Sequence, residues 1–104
     1  MKKPTIAAIG ENEDIIIFNG IGITPFVITN REDVIIKIDE LAADGTKVII
    51  VSDIFQFGIE EAIEKYQEQS FPIILFLPLG GVETGLGIEK IRKDVERAIG
   101  INIF

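Results

Sequence analysis

Three short apolar runs, Thr5-Ile6-Ala7-Ala8-Ile9, Lys47-Val48-Ile49-Ile50-Val51 and Pro72 to Leu77, constrain this chain more than any other feature, because their hydrophobic residues do not alternate with polar ones. A strand without alternation has no solvent face. It belongs in a parallel sheet covered on both sides. Asn19-Gly20-Ile21-Gly22 breaks the chain, and Thr24 to Ile28 reads as a further strand. The prolines that bracket the run from Pro72 suit an edge strand or strand ends.

Between these runs the apolar period changes from continuous to helical. Glu11, Glu13 and Asp14 precede Ile15-Ile16-Ile17-Phe18; β-branching alone favours a strand there, but an acid-rich start favours the N-terminus of a short helix, which is the expectation adopted. Thr29 and Glu32 have capping-box spacing ahead of a helix whose Val34, Ile38, Leu41 and Ala42 share one face, with Asp44-Gly45 as its stop. Ser52 or Asp53 is expected to cap the next helix, which buries Ile59, Ala62, Ile63 and Tyr66 and presents Glu60, Glu61, Glu64 and Glu68 to solvent. In the last helix Ile88, Ile91, Val95, Ala98 and Ile99 form the stripe. Glu89 with Lys93, Lys90 with Asp94 and Arg92 with Glu96 are opposite charges four residues apart, and Gly100 ends the helix.

Strand followed by helix, four times over, predicts an α/β fold with a four-stranded parallel sheet, helices on both faces and right-handed crossovers. Residues 1–79 read as the core domain. Residues 80–104 read as a glycine hinge (Gly80, Gly81, Gly85, Gly87) with an amphipathic helix and the tail Ile101-Asn102-Ile103-Phe104, a unit free to bend relative to the sheet.

At 104 residues, 47% hydrophobic and 26% charged, the chain can fill one modest core. It has no Cys and no His, which removes thiolate nucleophiles, imidazole bases and Cys/His zinc clusters. A formal charge of −7 repels nucleic acid and anionic lipid alike. No apolar run approaches the roughly 20 residues that span a bilayer, and the N-terminus lacks a cleavable signal's apolar region, so a cytoplasmic location is expected. Neither a cofactor nor a metal is expected.

Two constellations bear on that expectation. Gly80, four residues and Gly85 open a phosphate-loop pattern between strand and helix, but Leu86 and Gly87 stand where Lys and Ser or Thr should follow, and Glu83 would repel phosphate. Gly20-x-Gly22 is weaker, since Pro25 and a strand follow it. Glu11, Glu13 or Asp14 together with Asp53 would converge at the C-terminal edge of the sheet, as in response-regulator receiver domains. A phosphoacceptor role for Asp53 is therefore the alternative reading. It lacks the fifth strand and the Lys that would neutralise the phosphoryl group, and helix capping accounts for the same acids.

The combination of IAAIGENED, Phe18 and Gly22, VIIVSD, YQEQSFPIILFLP and the ending IRKDVERAIGINIF resembles the F subunits of the V-type and archaeal-type ATP synthases, over essentially the whole chain. The most specific match is the ending Ile99-Gly100-Ile101-Asn102-Ile103. The resemblance implies a small rotor subunit of the central stalk without catalysis of its own, which clasps the coiled coil of the D subunit. Contacts to the catalytic head and to the connector between stalk and membrane ring are implied too. It places Ile21, Gly22, Ile23, Thr24 and Pro25 at the partner surface, and Ile91, Val95, Ile99, Ile101 and Phe104 on a stripe that docks on the domain's own sheet or on the partner. Family members often read Phe-Arg-Leu-Ala-Gly in the first helix. Phe18-Asn19-Gly20-Ile21-Gly22 lacks that Arg.

Overall fold

The two most apolar runs become the centre of the sheet. In the computed structural model, which describes residues 5–79 and 85–99, β1 (Ile6–Gly10) and β3 (Val48–Ser52) are buried at every position. They lie side by side and parallel, with Ile6 opposite Val48 and Ile9 opposite Val51. β2 (Thr24–Val27) and β4 (Ile73–Leu77) are only partly buried and form the two edges, giving the order β2-β1-β3-β4 with all pairs parallel. The proline-bracketed run is thus an edge strand, as read from the sequence.

Alternate residues of each strand feed two separate cores. Ile6, Ala8, Val48 and Ile50 point to one face, where Ile15, Phe18, Ile23, Leu79 and Val95 cover them. Ala7, Ile9, Ile49 and Val51 point to the other, under Val34, Ile38, Leu41, Phe55, Ile59 and Ile63. The second face is covered by α1 (Arg31–Ala43) and α2 (Glu60–Gln67), the first by α3 (Gly85–Ile99) and a 3-10 helix over Glu13–Ile21. Helices on both faces of a parallel sheet are therefore present.

The first helix is the main local surprise. Nine residues of 3-10 helix are long for that form, and the hydrophobic spacing explains the choice. With three residues per turn, Ile15, Phe18 and Ile21 fall on one line. Ile15 and Phe18 are buried, and Ile21 packs against the same core. The run Ile15-Ile16-Ile17 is β-branched and gains little from α geometry. Asn12 caps the start by accepting from the Asp14 N–H at 3.0 Å. Gly22, at φ +83, ends it: its N–H donates to the Asn19 carbonyl, and the Ile23 N–H donates to the Phe18 carbonyl. Gly10 lets the helix approach β1, since a Cβ there would lie 3.0 Å from Ile15 Cγ2.

Three boundaries differ from expectation. The cap of α1 is Asn30, not Thr29: its side chain accepts from the Asp33 N–H at 2.9 Å and donates to the Asp33 carboxylate, shifting the capping pair by one residue. The stop at Asp44-Gly45 is as expected, with Gly45 at φ +87 and the Gly45 and Thr46 N–H groups bonded to Ala42 and Leu41. Neither Ser52 nor Asp53 caps α2. A 3-10 turn at Asp53–Phe55 intervenes, and α2 begins at Glu60 with no side-chain cap. Third, α3 begins at Gly85, so two of the four hinge glycines, Gly85 and Gly87, lie in its first turn. Gly80 and Gly81 lie outside the described residues, as do Gly100 and the tail. On α3, Arg92 pairs with Glu89, three residues away.

Candidate functional site

The segment singled out at Ile21–Pro25 links the 3-10 helix to β2 and sits at the N-terminal end of the sheet's edge, with Thr24 opposite Ala7 and Pro25 opposite Ala8. Pro25 has no N–H to give to a further strand, which suits its edge position. The five residues have unequal access. Ile23 is buried, Ile21, Thr24 and Pro25 are half-buried, and Gly22 is exposed. Beside them Ile16, Ile17 and Val27 are exposed at 52%, 41% and 41%. Sequence reasoning passed over these three; a period of three from Ile15 would have placed Ile16 and Ile17 outside the core. They lie with Ile21 and Pro25 on two elements that pack on each other, the 3-10 helix and β2.

The C-terminal stripe is placed only in part. Val95 is completely buried in the core beneath α3, against the domain's own sheet. Ile91 and Ile99 belong to the α3 backbone, but their side chains, like all of Ile101 and Phe104, lie outside the described residues.

Chemistry-bearing groups do not assemble elsewhere among the described residues. Asp53 is exposed after β3, and no three carboxylates come together there as a cation cage. The phosphate-loop pattern falls largely outside the described residues. A cleft of about 460 Å³ runs between α2 and β4, lined by Ile63, Tyr66, Pro72, Ile74 and Phe76, with Glu60 at its margin. Its own backbone N–H and that of Gly58 hold the Glu60 carboxyl below the usual range. Burial, and then the Asp39 carboxylate that accepts its proton, push the Tyr66 hydroxyl up to about 12. Neither group is poised for proton transfer near neutral pH.

Comparison with known proteins identifies the family. The family described as ATP synthase (F/14-kDa) subunit matches residues 6–95. The chain belongs to that family. It is similar to the F subunit of a V-type ATP synthase from Clostridium perfringens, 33% identical over 99 residues that cover 95% of this chain and 94% of the relative. The V-type ATP synthase F subunit of Clostridium botulinum is 30% identical over 95% of this chain and 96% of its own. The A-type ATP synthase F subunit of Thermoplasma volcanium is 29% identical over 94% and 93%. The family match takes in the whole sheet, the Ile21–Pro25 segment and α3 as far as Val95, and stops short of Ile99, Ile101 and Phe104. Among the described residues of this F-family chain, no helix is long and apolar enough to cross a membrane.

Proposed function

We propose that the chain is the F subunit of a V/A-type ATP synthase, a central-stalk rotor component without catalysis of its own. It grips the coiled coil of the D subunit, turns with it on the cytoplasmic side of the membrane, and helps couple the ATP-hydrolysing head to the ion-translocating ring. The observation that carries this reading is likeness to named F subunits along 95% of the chain. The surface is compatible with the role: half-buried Ile21, Thr24 and Pro25 and exposed Ile16, Ile17 and Val27 leave apolar area accessible on the 3-10 helix and β2 for a helix to cover. Ile23 supports this area from the core. Val95 serves the domain's own packing, while Ile91, Ile99, Ile101 and Phe104 remain the proposed second contact, toward the coiled coil or the catalytic head.

Co-expression with the coiled-coil partner, followed by gel filtration, tests the assignment. A joint peak is expected, and Pro25→Asp with Val27→Asp should abolish it while the protein stays folded. Separate peaks for the unmodified pair would sink the stalk reading.

A further inference from the structure

The loop from β3 to α2 is an apolar projection held rigid from below. Phe55 anchors it at 3% exposure, while Ile54 and Phe57 turn outward at 51% and 76%. Arg31, at the start of α1, donates from Nε to the Phe57 carbonyl and from Nη2 to the Ile54 carbonyl. Gly58 adopts φ +100, and a Cβ there would lie 2.8 Å from Arg31 Cδ, so a larger residue would push the guanidinium aside. Its N–H donates to the Glu60 carboxylate. Large apolar side chains gain by burial, and this loop is fixed in a form that denies it to two of them. Exposed Phe71, by contrast, carries Lys47 4.6 Å from its ring centroid.

The surroundings indicate the occupant. From Asp53 to Glu68 there are five acids (Asp53, Glu60, Glu61, Glu64, Glu68) and one base (Lys65), a net −4 of the chain's −7. Glu60, Glu64 and Glu68 are exposed and recur every four residues from the first turn of α2 onward. A helix lying alongside with basic residues at the same period would match them. Because the strands are parallel, the projection stands at the C-terminal end of β3, whereas Thr24 and Pro25 lie opposite Ala7 and Ala8 on the far edge strand β2, with β1 between. We propose that Ile54 and Phe57 form a second docking knob, which inserts between apolar side chains of a partner helix flanked by lysine or arginine. The knob does not depend on the stalk assignment.

The test uses the full chain and two labelled synthetic amphipathic helices that share one leucine stripe, flanked by lysine in one and glutamate in the other, read by fluorescence anisotropy. The lysine peptide binds saturably, and raising the salt to about 1 M weakens it. Phe57→Asp or Ile54→Asp lowers its affinity about thirtyfold, as for a central anchor residue. Arg31→Ala, which frees the loop but keeps both side chains, gives a smaller loss, and Pro25→Asp changes nothing. Thermal melting of each variant confirms the fold; two independent knob variants keep the result readable if one is unstable. Equal affinity for the two peptides, no saturable binding of either, or wild-type binding by both knob variants overturns the proposal. So does loss of binding on Pro25→Asp, which would assign the peptide to the surface around Pro25.

Discussion

Gly58→Ala measures how firmly the β3–α2 loop is fixed. The φ of +100 lies beyond the small left-handed region that side-chain-bearing residues tolerate, so the backbone alone costs about 1–3 kcal/mol. The new Cβ would lie 2.8 Å from Arg31 Cδ and 2.9 Å from Nε, well inside ordinary contact of roughly 3.5–4.0 Å. Nε is the atom that donates to the Phe57 carbonyl, so the guanidinium must leave and both of its hydrogen bonds go with it. These bonds are solvent-exposed, and together they are worth about 1 kcal/mol. The expected total is about 2–4 kcal/mol. Gly22→Ala is the control: φ is +83, nothing lies within 4 Å of the added carbon, and only a backbone cost of about 1 kcal/mol applies. Urea unfolding followed by circular dichroism gives the numbers, since the chain has no Trp. With Arg31 already replaced by Ala, Gly58→Ala should cost about 1 kcal/mol less than in the parent. Additivity of the two substitutions within about 0.3–0.5 kcal/mol would refute the idea that Arg31 fills the space beside Gly58.

Two further outcomes are expected. Tyr66 is the single tyrosine, so phenolate absorbance reports it alone; its midpoint in the folded protein should lie near 12, and Asp39→Asn should move it toward the ordinary 10.0. The raised value means that the neutral hydroxyl's stabilisation is complete below about pH 10 and fades as pH rises toward 12. The Asp39 carboxyl is held below its ordinary 3.8, first by the Tyr66 hydroxyl and then by Lys65, so its contribution is present above that value and fades as pH falls through the lowered one. Tyr66→Phe should flatten the alkaline limb, and an ordinary midpoint in the parent protein would contradict the contact. At the start of α1, Asn30→Ala should lower stability by about 1 kcal/mol in urea and Asn30→Asp should restore most of it, whereas Thr29→Ala changes little; equal losses at both positions would show that the cap is misplaced.

The sheet was legible because its central runs are buried on both faces and therefore carry no polar alternation. α1 and α2 followed from apolar residues at helical spacing, down to the stop at Gly45. What the sequence hid was set by packing. Thr29/Glu32 and Asn30/Asp33 have the same spacing and differ only in which side chain meets an N–H. The choice of 3-10 over α at Glu13–Ile21 depended on the line Ile15, Phe18, Ile21 finding β1 and β3 beneath it, with Gly10 making room. The surface around Pro25 was half visible: its turn residues stood out, but Ile16, Ile17 and Val27 look like core material until the neighbouring elements decide which side they face.

Val95 has a consequence beyond its own packing. It closes one of the two cores from α3, in one cluster with Ile6, Ala8, Val48 and Ile50 of the sheet. Any apolar segment that sought the same ground would have to displace it first. Its apparent affinity would fall by the fraction of molecules in which Val95 already covers that face.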